Sequence, residues 1–376
     1  MKIRQIMYRN NEWKTIAGDS KINPALVLCQ GNRHLLADES TYNQMLSKFP
    51  GAVVISCSTA GEISNEAVSN NTLVATAVEF SDTKVLPVKI NINDFSNSFN
   101  AGKALIAKLE KDGLRFILVF SDGELVNGDD LVSGMNESLV NKVPIAGGLA
   151  GDDTDFNKTL VGLNNDITEG NIVAVGFYGD RLQLGFGLKG GWRQFGPTRT
   201  ITKSKKNVLY EIDGENALDL YKTYLGVYAD KLPGSALLFP LSIKENNSEE
   251  IVRTILNVDA VNKTMTFAGN VSEGAKVRLM KTTLDNIVDA ASEASDQCKS
   301  SGESKNDTLA ILISCVGRKI ILGNRIDEEF DAVRESLGVD VILSGFYSYG
   351  EIAPFTPFMK CQLHNQTIAI TTMYEN

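Results

Sequence analysis

The chain has 376 residues, 43% of them apolar and 22% charged, which is enough for two domains with cores of ordinary size and fits neither a disordered nor a fibrous design. Its formal net charge of −9 argues against duplex DNA or an anionic membrane as partner, because a phosphate surface has to be met by clustered Lys and Arg. No basic start leads into a long apolar run, and no uninterrupted stretch of about 18 apolar residues occurs, so a cytoplasmic location is expected.

In chain order, β-branched runs alternate with helical spacing, the pattern of a mixed α/β (α+β) protein. Strands are predicted at 25–29, 52–57, 72–80 and 85–92, with a helix near 41–49. A helix near 99–111, a strand over 115–121, a helix near 129–141, a strand at 144–148 and strands over 171–178 and 182–188 follow. Gly196-Pro197 reads as a break that opens the second half. Beyond it come a helix near 215–225, strands near 251–258, 263–267 and 276–280, and a long helix from about Leu284 to Lys299. Leu284, Ile287, Val288 and Ala291 recur there at helical spacing, which predicts packing on a sheet.

A strand, helix, strand, Gly-acid, strand pattern occurs three times. Its openings are Leu26-Val27-Leu28-Cys29, Leu118-Val119-Phe120-Ser121 and Ile311-Leu312-Ile313-Ser314. Its Gly-acid loops are Thr59-Ala60-Gly61-Glu62, Leu149-Ala150-Gly151-Asp152 and Ser348-Tyr349-Gly350-Glu351. An internal duplication is expected, with loops from the same ends of the sheets meeting where open α/β sheets place ligands.

Several chemistries are excluded by count or context. Two histidines, His34 and His364, cannot build a His-rich metal centre. The five cysteines form no C-x-x-C pair, which points to a reduced, disulfide-free protein. Cys29 and Cys315 are expected as buried strand thiols at matching repeat positions. Gly185, Gly187 and Gly190 match a dinucleotide fingerprint, but no helix can open at the following Gly191-Trp192-Arg193, so close packing is the better reading. The glycines at 147–151 look like a phosphate loop, yet Asp152 and Asp153 follow at once and would repel phosphate. Lys203-Ser204-Lys205-Lys206 reads as a solvated turn. With bases this scarce, the chain is expected not to be an enzyme.

What remains is binding chemistry. Glu62 and Glu351, with Thr59 beside the first, either hold a ligand or bond their own loops. Tyr347 and Tyr349 alternate in a way that places both rings on one strand face, an apolar wall with polar tips. His364 and His34 are the residues able to reach a haem iron.

The runs Cys57-Ser58-Thr59-Ala60-Gly61-Glu62-Ile63 and Gly147-Gly148-Leu149-Ala150-Gly151-Asp152-Asp153 resemble the N-terminal domain of the FIST family. Gly191-Trp192-Arg193-Gln194-Phe195-Gly196-Pro197, Glu211-Ile212-Asp213-Gly214 with Ala217-Leu218-Asp219-Leu220-Tyr221, and the stretch from Gly345 to Pro354 with His364-Asn365-Gln366-Thr367 resemble its C-terminal domain. The resemblance implies two halves, 1–195 and 196–376, and a sensory protein of signal transduction that binds a small ligand. It implies two versions of that ligand. In the nitric-oxide-sensing NosP branch it is haem b, with His364 or His34 as axial ligand; otherwise it is an amino acid or similar metabolite held without a cofactor, by the Gly-acid loops and Tyr347/Tyr349. Without a kinase or cyclase segment of its own, the chain is expected to act in trans on a histidine kinase or a diguanylate cyclase.

Overall fold

The computed structural model describes all residues except 20, 140–142, 246–247, 300–306 and 357–358. The expected helix end at Asn141 lies outside the described residues. Three segments repeat one topology. In the first, strand Leu26–Gly31 runs parallel to Val53–Ser58 and antiparallel to Leu73–Glu79. In the second, Leu114–Ser121 runs parallel to Ile145–Leu149 and antiparallel to Asn171–Tyr178. In the third, Leu309–Cys315 runs parallel to Ile342–Ser348 and antiparallel to Ile368–Glu375. The triplicate pattern in the sequence is therefore a triplicate structure.

Alternation explains why each sheet is buried on both faces. Leu26, Leu28, Phe116, Leu118, Phe120, Leu309, Ile311 and Ile313 all point into one common core between the three sheets. Their neighbours Val27 and Cys29, Ile117 and Val119, and Ala310 and Leu312 point outward into three separate helix-covered cores. On the third sheet the covering helix Leu284–Lys299 packs on strand Leu182–Lys189 so closely that a Cβ on Gly187 would lie 1.8 Å from the Ala294 carbonyl oxygen. Gly185 and Gly187 thus serve close packing, as their context predicted.

The strand that follows each Gly-acid loop leaves its own sheet. Glu62–Ile63 of the first repeat pairs with Ile342–Ser348 of the third. Val161–Leu163 of the second pairs with Val53–Ser58 of the first, and Gly350–Pro354 of the third pairs with Ile145–Leu149 of the second. The three exchanges close a ring. Ladder pairing also corrects one expectation. Gln30 pairs with Cys57 and Ile313 with Phe346, each five residues before its loop glutamate, so Cys29 corresponds to Leu312 and not to Cys315.

Between strand Leu182–Lys189 and helix Leu284–Lys299 the chain forms a further eight-stranded antiparallel sheet, joined by the long strand Arg193–Lys205 and carrying helix Ala217–Leu225 around its own core. Gly196-Pro197, expected as a break, lies within that strand, where the pairing with Lys276–Lys281 shifts register between Phe195 and Arg199. Gly196 has φ +71°, which a residue without Cβ adopts at low cost, so the dipeptide makes a bulge and the strand continues. The expected division between residues 195 and 196 falls inside it. Sequence reading also missed the N-terminal hairpin Lys2–Arg9 and Glu12–Gly18, which edges the first sheet.

Candidate functional site

At the carboxyl ends of the parallel strands of repeats two and three, the inserted sheet leans over the core and leaves a cleft of about 370 Å³. This is the place where open α/β sheets seat ligands, and the volume suits a small metabolite. One wall is the loop Gly123–Gly128 with Leu149; another is Cys315–Gly317 with Tyr349 and Asn365; the inserted sheet contributes Thr254, Leu256, Phe267 and Ala268. Tyr349 stacks on Phe156 with ring centroids 4.8 Å apart, and its hydroxyl accepts from the Phe156 N–H at 3.2 Å. Thr254 and Asn365 are 5% and 1% exposed. Thr254 Oγ1 and Asn365 Oδ1 have no hydrogen-bond partner in the protein. A buried polar atom without a protein partner costs about 1–3 kcal/mol unless something else satisfies it, and both of these residues line the cleft. Glu124, at the edge, has its carboxyl pushed above the usual range by burial and by Asp122 and Asp152 nearby.

Directly behind the cleft the inserted sheet is fastened to the core. Arg253, 2% exposed, forks onto Asp129 at 2.7 and 2.8 Å and donates to the Leu363 carbonyl at 2.9 Å and the Asn270 carbonyl at 3.2 Å. Asn270 also bonds Asp130 at 2.9 Å, and its N–H donates to Asp129. Each latch residue adjoins a cleft residue: Arg253 precedes Thr254, Asp129 follows Gly128, and Asn270 follows Gly269.

Two family profiles match this architecture: a FIST N domain over residues 25–215 and a FIST C domain over 217–354. The chain belongs to the FIST family. FIST domains are associated with sensing in signal transduction, and the chain carries both of them. An uncharacterized protein of Methanocaldococcus jannaschii is 25% identical over 239 residues, 60% of this chain but 44% of that protein, so the match spans less than half of the relative's length. A cyanuric acid hydrolase from A. caulinodans aligns over 78% of this chain and 99% of its own at 8% identity, with a TM-score of 0.19, too low to bear on fold or activity.

Within the FIST protein the residues singled out by sequence part company. Glu62 and Glu351 are buried and bond their own loops in the same way. Glu62 accepts from the Thr59 hydroxyl at 2.6 Å and from the Thr72 hydroxyl at 2.8 Å and N–H at 3.2 Å. Glu351 accepts from the Ser348 hydroxyl at 2.8 Å and from the Thr367 hydroxyl at 2.7 Å and N–H at 3.2 Å. Burial pushes these carboxyls up to about 7 and about 8. Their oxygens are committed to the loop clasp. Asp152, the third loop acid, accepts instead from Arg33 Nε at 2.8 Å and from the Lys158 N–H at 3.1 Å.

Of the predicted tyrosine pair, Tyr349 lines the cleft while Tyr347 is fully buried and donates to Glu329 at 2.7 Å, beside Arg318. Strand Ile342–Ser348 ends before Tyr349, so the alternation that would place both rings on one wall is broken there. His364 is 2% exposed, its Nε2 3.0 Å from the Ala353 carbonyl and its ring edge-on to Phe355 at 4.8 Å. Burial lowers it to about 4, so it is neutral at pH 7. His34 is exposed on helix Arg33–Ala37, its Nε2 3.3 Å from the Arg33 guanidinium. Neither setting is that of a free axial ligand: His364 lines a cavity with Trp192 and Phe355, but its Nε2 is already taken up by the Ala353 carbonyl, and His34 sits in solvent beside a cation. Asn365, next to His364, is the cleft residue that sequence reading passed over, as it did Thr254 and Glu124.

Proposed function

We propose that this FIST protein is a haem-free, non-enzymatic sensor that seats a small metabolite, of amino-acid size, in the cleft beneath the inserted sheet and passes its presence to a signalling partner. The observation that carries the reading is that the unpartnered Thr254 Oγ1 and Asn365 Oδ1 belong to residues of one mixed apolar and polar cleft at the strand ends. Against catalysis stands the lining itself, in which Glu124 is the one carboxylate and no histidine or lysine stands beside it to share acid–base work. Cys315 does line it, but burial raises its thiol far above the range of a nucleophile. A sensor transmits only if its ligand binds two states unequally. The Arg253–Asp129 latch gives the inserted sheet a defined seat, and a ligand touching Thr254 from one side and Asn127 or Gly317 from the other bears on it directly. The partner implied by the family is a histidine kinase or diguanylate cyclase.

The reading is tested by thermal-shift screening of a metabolite library against the wild-type protein and Ala268→Trp, which fills the cleft. Compounds that raise the melting temperature of the first and not of the second are expected, with a change in solution scattering on binding. Hits that act equally on both proteins would overturn the cleft as the sensory site.

A further inference from the structure

The polarity of the cleft restricts what its ligand can be. Among its lining residues there is no Lys and no Arg, and its one charged side chain is the carboxylate of Glu124. The guanidiniums next to lining residues are both engaged, Arg253 with Asp129 and Arg318 with Glu329. Asn365 offers an acceptor: its amide donates through Nδ2 to the His364 carbonyl at 3.0 Å, which leaves Oδ1 as a buried acceptor without a donor in the protein. The mouth is apolar to an unusual degree. Leu125, Phe156, Leu256 and Ile320 are 53%, 45%, 50% and 41% exposed and all line this cleft. Scattered exposed apolar side chains need no explanation, but a group of them around one cavity does.

We infer that the ligand is an amphiphilic amine: an aryl or alkyl body held among Leu125, Phe156, Leu256 and Ile320, with an ammonium head donating to Asn365 Oδ1 and facing Glu124. A carboxylate head meets no cationic side chain here and is repelled by Glu124, leaving it only the N–H groups at the start of helix Gly128–Ser138 and of the short helix Val316–Leu322, so a free acid is disfavoured and a zwitterion gains little from its acid group. The inference rests on the cleft being the sensory site.

Isothermal titration with phenethylamine, 3-phenylpropanoate and L-phenylalanine, which share one aryl body, tests the head group. The amine is expected to bind at least about tenfold tighter than the acid, the scale of one charge-assisted hydrogen bond. Glu124→Gln should weaken the amine by about tenfold while leaving the melting temperature of the free protein nearly unchanged, since the Glu124 side chain makes no hydrogen bond or ion pair among the described residues. Asn365→Leu should weaken it similarly, with the acid unaffected. Equal or tighter binding of 3-phenylpropanoate or L-phenylalanine, or no binding of the amine at millimolar concentration, would overturn the inference. The cleft assignment would still be judged separately by the Ala268→Trp comparison.

Discussion

The Gly-acid loops of repeats one and three differ from that of repeat two in one respect. In the first and third, a glutamate is clasped by a hydroxyl three residues before it and by the threonine that opens the last strand, Thr59 and Thr72 for Glu62, Ser348 and Thr367 for Glu351. In the second, Asp152 is a methylene shorter, turns to Arg33 and Lys158, and the N–H of Gly170, before the last strand, goes to Asp122 at 3.0 Å. The cleft opens beside that unclasped loop, through Leu149 and Phe156. Repetition here marks what holds the ring together, and departure from repetition marks where a ligand can enter.

The largest effect is expected at the latch that seats the inserted sheet on repeat two. Arg253→Ala leaves the partly buried Asp129 without its cation, with only the Asn270 N–H still donating to it, and a loss of about 3 kcal/mol is expected in denaturant unfolding; a loss near zero would mean that the sheet is not held by this contact. Next in size is Glu351→Ala, which strands the Ser348 and Thr367 donors in the core at a cost of about 1–3 kcal/mol. Asp152→Ala should cost less, about 1 kcal/mol, because Arg33 can turn toward solvent. Equal losses at the two positions would erase the distinction between clasped and open loops.

The clasps also predict a pH dependence. Glu62 and Glu351 keep their protons in the folded chain up to about 7 and about 8, whereas the unfolded chain releases them near ~4.3. Their contribution is therefore present on the acid side and is lost as pH rises through that window, levelling off above it. Glu351→Gln, always neutral, should lose less stability between pH 5 and pH 8 than wild type; an identical slope would refute the assignment. The smallest expected effect is spectral. Haemin added to the purified protein should show no saturable Soret band distinct from that of free haemin, and a band lost in His364→Ala would restore the haem reading.

The repeats were legible because each writes the same short-range signal: an apolar run, a helix, a second run and a Gly-acid pair. The bland alternative for Glu62 and Glu351 was legible too, since Thr59 and Ser348 stand three residues before them. The cleft was not. Asp129, Thr254 and Asn365 lie more than a hundred residues apart, and nothing local in Ile251-Val252-Arg253-Thr254 announces a latch. In Leu363-His364-Asn365-Gln366 the rarer imidazole drew the eye, while the bare amide beside it faces the cleft. The Gly196-Pro197 bulge misled for a related reason: a dipeptide that usually ends an element can also bend one whose partner strand tolerates a register shift.

The ring of exchanged strands has a consequence for how this molecule can come apart. Removing residues 1–80 would take the first sheet's three central strands and, with Glu62–Ile63, an inner neighbour from the third sheet as well. Any one repeat expressed alone would present a sheet lacking its neighbour's strand and a strand lacking its neighbour's sheet, both edges ready for a second copy. Partial digestion or truncation within the repeats should therefore yield intact chain or aggregate and no stable single repeat, the inserted sheet with its own core standing apart from this argument, and the three repeats should melt in a single transition.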